Sequence, residues 1–231
     1  MAVAAHQVTN TVTQHLMHLA IPVQGIAQVD DAVEKHHVGT DIHTALTNHQ
    51  ILFSQFADQD TLAVAVDQED SNQSTITNGT TASASNYIGY TGAVYVYKRS
   101  GSTWAQEAYI KAANNDTDNE FGKSLSLDQD TLAVGATQED SGQTTITNGT
   151  TASSNNDAGA SGAVYVYKRT GTEWAQEAYI KASNANAYDN FGGSVSINQD
   201  TIVVGASYES SNQTTITNGT TTASSNNTNT H

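Results

Sequence analysis

GAVYVYKRTGTEWAQEAYIKA, residues 162–182, decides how this chain is read, because the stretch occurs twice. Residues 92–112 read GAVYVYKRSGSTWAQEAYIKA, identical at 18 of 21 positions and lying 70 residues earlier. A second block, FGGSVSINQDTIVVGA at 191–206, matches FGKSLSLDQDTLAVGA at 121–136 with the same offset, and a worn copy, ILFSQFADQDTLAVAV, lies at 51–66. A fixed period with drifting sequence between the blocks is the mark of a tandem array, in which each unit is one supersecondary element that must lean on its neighbours. Units open at Ile51, Phe121 and Phe191, and the third has no GAVYVY block before His231. The domain reading that follows is a non-repeat segment 1–50, a first repeat 51–120, a second repeat 121–190 and a partial third repeat 191–231.

Each unit carries four short segments with period-2 alternation and a β-branched and aromatic bias, so each predicts a strand. In the second unit these are residues 123–127 (KSLSL), 131–136 (TLAVGA), 162–168 (GAVYVYK) and 174–181 (WAQEAYIK). Leu125 and Leu127 share one side of the first, and Val164 and Val166 oppose Tyr165 and Tyr167 on the third. Tight turns at Asp128-Gln129-Asp130 and around Gly171 join strands one to two and three to four. In an up-and-down sheet successive links alternate between its two ends. The remaining links, residues 137–161 and the stretch before the next Phe-Gly, therefore share the opposite end. The unit has a blunt rim and a loop-bearing rim.

The long loop is patterned too. TTITNGTT at 144–151 places Asn148-Gly149 between threonine-rich arms, the strongest short hairpin signal, and predicts a small β-finger standing off each repeat; it recurs at Asn78-Gly79 and Asn218-Gly219. Lys98, Arg99 and Lys111 recur as Lys168, Arg169 and Lys181. Lys168 and Arg169 fall on the blunt side, whereas Glu69-Asp70 and Glu139-Asp140 open the long loops and make the loop rim the more negative one. Glu177 and Lys181 stand at even spacing on strand four, an exposed pair worth little.

Composition narrows the function. Net charge is −15, which repels phosphate backbones and anionic membrane surfaces, so nucleic acid is not an expected partner. The chain has no cysteine, and no apolar run approaches the ~20 residues that span a bilayer. Residues 1–50 hold seven of the eight histidines and the single proline, Pro22; apolar positions such as Val12, Leu16, Leu19, Val23 and Ile26 predict a short amphipathic helix with frayed ends, with a disordered segment as the alternative, and Pro22 argues against one unbroken helix. HLMH at His15–His18 and the pair His36-His37 lack an HExxH or Cys partner, so they read as surface histidines rather than a zinc site. The start MAVAAHQVTN has no basic n-region, so no signal peptide is read there.

Phe-Gly, a strand, Val-Gly-Ala and then GAVYVY is the order of FG-GAP repeats. The chain resembles the bacterial FG-GAP repeat proteins, relatives of the integrin alpha-chain β-propeller, from residue 51 onward. The first copy departs from the pattern, with Ile51-Leu52 for Phe-Gly and Ala65-Val66 for Gly-Ala, and the family's proline after Gly-Ala is Thr137 or Ser207 here. The resemblance implies an all-β partial β-propeller of four-stranded antiparallel meander blades, with raw faces where blades lack neighbours. Small residues on strand two (Ala133, Gly135, Ala136) suit close approach near the axis, and the aromatics suit the wider part between blades. Family members bind calcium through a DxDxDGxxD loop, but Asp128-Gln129-Asp130 is too short to supply six to eight oxygens, so integrin-type calcium is not carried over. The run Asp116, Asp118 and Glu120 is the one weak calcium alternative. Seven Asn-x-Ser/Thr sequons mark surface loops.

The array supplies no phased histidine, no Ser-His-Asp order and no acid pair in a recognisable motif. The expected function is therefore a non-catalytic extracellular or cell-surface scaffold or adhesion-type module, with no catalytic, cofactor or metal residue, presenting Thr/Asn-rich loops to a protein or glycan partner and packing against further repeats of a longer parent chain. The propeller portion of a secreted polysaccharide-processing enzyme, or a Thr-rich self-associating surface, is the alternative.

Overall fold

The computed structural model of the chain describes residues 55–58, 60–83 and 89–219. The helix and histidines read in residues 1–50 and the sequon at Asn226 lie outside the described residues. Among the described residues there are twelve strands and no helix. The first repeat gives β1 (Gln55–Asp58), β2 (Thr61–Val66), β3 (Thr77–Asn78), β4 (Ala93–Ser100) and β5 (Thr103–Ile110). The second gives β6 (Phe121–Asp128), β7 (Thr131–Ala136), β8 (Thr147–Asn148), β9 (Ala163–Thr170) and β10 (Glu173–Ile180), and the third β11 (Phe191–Asn198) and β12 (Thr201–Ala206).

All pairings within the three sheets are antiparallel, in the order β1-β2-β4-β5-β3, β6-β7-β9-β10-β8 and β11-β12. The four-stranded meander stands as expected, and a two-residue strand is added along its outer edge. The blunt rim is made by two-residue turns. Gln129 and Gln199 occupy the left-handed region (φ 52° and 51°) between β6 and β7 and between β11 and β12, and Gly171 (φ 67°) takes that conformation between β9 and β10. Loops 137–162 and 181–190 lie at the other end, as the connectivity requires.

Both faces of β9 are covered, which is why GAVYVY is a near-continuous apolar run rather than an alternating one. A single apolar cluster fills the space between the first two blades: Ala63, Ala65, Val94, Val96, Ala108 and Ile110 from one side meet Phe121, Leu125, Leu127, Leu132, Tyr165, Tyr167, Trp174 and Tyr179 from the other. The small side of the joint belongs to the first blade and the large side to the second. First strands of successive blades lie side by side. Ser124 Oγ donates to the Gly192 carbonyl at 2.7 Å, and the Ile197 amide donates to Ser126 Oγ at 3.1 Å. A Cβ at Gly135 would overlap the Gly192 carbonyl and Ser124 Oγ, so the small residues of β7 do permit close approach of the next blade.

Phe121 explains the Phe-Gly signature. Its ring is buried edge-on against Tyr165 (5.2 Å between centroids) and Tyr167 (6.1 Å). Its backbone lies against the preceding blade, where a Cβ on Gly92 (φ 81°) would overlap the Phe121 carbonyl oxygen; Gly162 (φ 82°) stands in the same relation to Phe191. Only glycine meets both demands at these positions.

Candidate functional site

The loop rim is shaped by a repeated backbone ladder. Asp118, Glu120 and Phe121 donate their amides to the carbonyls of Gly89, Tyr90 and Thr91 at 2.9, 2.9 and 3.1 Å. Tyr188, Asn190 and Phe191 do the same to Gly159, Ala160 and Ser161 at 2.8, 3.0 and 3.0 Å. The returning leg of each long loop thus grips the linker to the next blade. Six non-glycine residues of these ladders (Tyr90, Asp118, Glu120, Ala160, Tyr188 and Asn190) hold φ between 52° and 69°, a conformation that costs of order 1 kcal/mol each. The same three places carry it in each of the two joints, so the ladder imposes it.

Beneath the rim, each complete blade buries a lysine. Lys181 Nζ donates to Glu139 Oε2 at 2.6 Å and to Ser161 Oγ at 2.8 Å. Glu139 Oε1 accepts from Tyr179 (2.8 Å) and from Asn114 Nδ2 (3.0 Å), and Asn114 Oδ1 accepts from Tyr165 (2.5 Å). In the first blade Lys111 Nζ lies 2.6 Å from both Glu69 Oε2 and Thr91 Oγ1, while Ser71 and Tyr109 share a 2.7 Å hydrogen bond. Burial pulls both lysines below their ordinary pKa, and the adjacent carboxylates pull the other way. Burial also pushes the phenols of Tyr109, Tyr165, Tyr167 and Tyr179 up. The Glu139 carbonyl accepts from the Gly162 amide at 2.9 Å, so the pair ties the first residues of the long loop to its last.

These contacts correct two expectations, the exposed Glu177–Lys181 pair and the free finger, and bear on two further readings of the loop rim. Lys181 is not an exposed partner of Glu177. A bulge between Gln176 and Ala178 breaks the even spacing, leaving Glu177 outward and Lys181 buried. Glu69 and Glu139 add no charge to the loop surface, and Asp70 and Asp140 accept from the amides of Tyr90 (3.0 Å) and Ala160 (2.7 Å). The threonine-rich segment is not a free finger. Thr147-Asn148 pairs with Tyr179 and Ala178, the Gly149 amide donates to Glu177 (2.7 Å), and Gln176 Nε2 holds the carbonyls of Gly149 and Thr151 (3.1 and 3.0 Å). Finally, Asp116, Asp118 and Glu120 do not converge: Asp116 accepts from Asn156 (2.8 Å), Glu120 pairs with Lys123 (3.0 Å), and among the described residues no three acidic or histidine side chains gather as ligands.

The Asp-Gln-Asp turn has a different role. Asp130 Oδ1 accepts from Arg169 Nε (2.7 Å) and Nη2 (2.6 Å) at the blunt rim, as Asp60 does from Arg99. Arg169 then reaches across the joint. Its Nη1 donates to Glu107 Oε2 (3.0 Å) and Thr61 Oγ1 (3.1 Å), and its guanidinium stacks 5.3 Å over Trp174, whose Nε1 donates to the same Glu107 oxygen (2.9 Å). The Asn78 side chain closes the lock by accepting from the Trp174 amide (2.9 Å) and donating to its carbonyl (3.2 Å). Glu107 is the bulged residue of β5, and the bulge is what aims it at the next blade. The signal for these locks was in the sequence: Glu69–Lys111 and Glu139–Lys181 are both 42 apart, and Asp60–Arg99 and Asp130–Arg169 both 39.

Successive antiparallel meanders with an interlocking aromatic seam define a β-propeller-type blade array. No curated protein matches the chain. The chain is an FG-GAP repeat protein: the family profile described as FG-GAP repeat matches residues 104–167 and 174–220. Both matches begin in the fourth strand of one blade, at Trp104 and Trp174, and run into the next, so the family unit encloses a joint rather than a blade. Repeats of this family form β-propeller-like binding or scaffold modules. Among the described residues no helix is long and apolar enough to cross a membrane.

Proposed function

We propose that the chain is a non-catalytic, extracellular or cell-surface adhesion-type module whose loop rim binds a protein or glycan partner. The observation that carries this reading is the composition of a rim held in a fixed shape. Tyr90 (43% exposed) and Tyr188 (69% exposed) sit in the two laddered joints, among exposed Asn155, Asn156, Asp116 and Asp157. A tyrosine offers a broad, stiff, amphipathic face at low entropic cost, and neighbouring amides and carboxylates supply directional hydrogen bonds. That combination suits sugar rings and protein loops alike. The repeat's recurring charged residues are spent on structure: Lys111 and Lys181 in buried pairs, Arg99 and Arg169 in turn and joint locks. A glycan array and a pull-down from cell-surface extracts, run with the intact chain and with a Tyr90→Ser/Tyr188→Ser double variant, test the proposal. Retained ligands that are lost or weakened at least tenfold in the variant support it; equal binding by both removes the rim tyrosines from the account.

A further inference from the structure

We infer that the free edge of β12, together with Glu177, Asn148 and Ile146 of the second blade, is a docking site for a β-hairpin of the type seen at β9–β10, AVYVYKR followed by a Gly-centred turn and WAQEAYIK. What covers this surface is written in the other two blades. In both, the second strand pairs with a third strand in one register, Thr61↔Lys98 to Val66↔Ala93 and Thr131↔Lys168 to Ala136↔Ala163. β12 has the same sequence type, TIVVGA, but its second edge has no partner among the described residues, and Val203 is 65% exposed. The equivalent position of β7, Ala133, is fully buried and has Val166 of β9 as its cross-strand partner.

The polar groups of the lock are set out in the same way. Glu107, Asn78 and Thr61 receive Arg169 and Trp174 in the first joint. Their counterparts 70 residues on are Glu177, Asn148 and Thr131, and the side chains of Glu177 and Asn148 are exposed with no partner among the described residues. Asp200 stands where Asp130 holds its arginine, also exposed. Ile76, at the counterpart of Ile146, packs against the core cluster, whereas Ile146 is 58% exposed. An incoming hairpin would pair its Lys with Thr201 and its Ala with Ala206. Its arginine would bridge Asp200 and Glu177, and its tryptophan would donate to Glu177 and sit on Asn148. Strand addition of this kind takes affinity from main-chain bonds and specificity from the side-chain sockets.

The test uses the full 231-residue chain and a labelled synthetic peptide of residues 163–181. The expected result is saturable binding with slowed amide exchange across Thr201–Ala206. Affinity should fall at least tenfold when the peptide carries Arg169→Ala and Trp174→Ala, and likewise when the chain carries Glu177→Ala with Asn148→Ala. Absence of protection at β12, protection confined to β7, or affinity indifferent to both sets of changes would overturn the inference. Because the peptide is prone to aggregate, a second arm fuses the same hairpin through a flexible linker after His231. That fusion should raise the melting temperature and slow exchange at β12, and an unchanged melt with unprotected β12 counts against the site.

Discussion

The joint between the first and second blades and the joint between the second and third are written with nearly the same residues, yet they differ in depth. Phe121 is fully buried against two tyrosines, whereas Phe191 is only partly covered. Asn114 joins a Glu139 that is already paired with a lysine, but Asn184 reaches an exposed Glu209 (3.0 Å) with no lysine on it among the described residues. Arg169 keeps 9% of its side chain exposed and Arg99, which has an equivalent stacked tryptophan and aspartate but no glutamate on it among the described residues, keeps 41%. Equal sequence therefore does not give equal stability in an array. Each residue's contribution depends on whether its neighbour is in place, as expected where stability is a sum of unit and interface terms.

The sharpest way to break this comparison is at the glutamates. Glu139→Ala strands a buried ammonium and is expected to destabilise by about 3–5 kcal/mol, while Glu209→Ala should stay within about 0.5 kcal/mol. Urea denaturation of both variants checks the contrast, and a Glu139→Leu/Lys181→Met pair should recover much of the loss. Next come the phenylalanines. Phe121→Ala removes a buried ring and should cost about 3–5 kcal/mol, and Phe191→Ala about 1 kcal/mol, because less surface is lost to the cavity. Equal losses in the two would sink the idea that the joints differ in depth.

A pH scan sharpens the same point. Buried Tyr109, Tyr165, Tyr167 and Tyr179 have raised folded values, so above their ordinary 10.0 the unfolded chain gives up protons that the folded chain keeps. Stability is fully present below that pH and falls as pH rises, by about 1.4 kcal/mol per unit for each tyrosine. Lys111 and Lys181 act in the opposite sense, since their folded values are lowered, but their contribution ends at 10.5. Melting temperature should therefore drop steeply above pH about 10.5, and a Tyr165→Phe variant should flatten the fall. The smallest contrast is at the arginines: Arg169→Ala should cost about 1–2 kcal/mol through lost stacking and its cross-joint bonds, Arg99→Ala no more than about 0.5 kcal/mol, each read from the urea midpoint.

Much of this was legible in the sequence because it is local. The strands over 131–136, 162–168 and 174–181 differ from β7, β9 and β10 by at most two residues at either end, and the two rims followed from link lengths alone. The features that escaped reading are set by distant partners. Asn148-Gly149 carries a strong hairpin signal, yet its arms do not pair with each other: the competing partner is β10, about thirty residues away, which already offers an open edge and a glutamine to hold two carbonyls. Lys181 was placed by period-2 spacing, and one bulged residue at Glu177 reverses the face of everything after it. The repeated Gln143 and Gln73, each holding a carbonyl and a hydroxyl of its own threonine run, were the overlooked clue that the segment bends onto itself.

The offset between sequence unit and blade has a consequence for how such chains lengthen. A segment beginning at Trp104 and ending before Trp174 contains the last strand of one blade, β5, and the first four of the next, β6 to β9, like a brick laid across a seam. Copying that segment inserts its own mortar: the phenylalanine and the two tyrosines it packs against, and the arginine together with the glutamate that receives it, travel as one piece. An FG-GAP chain can therefore gain a sheet in a single genetic step without evolving any contact it did not already possess.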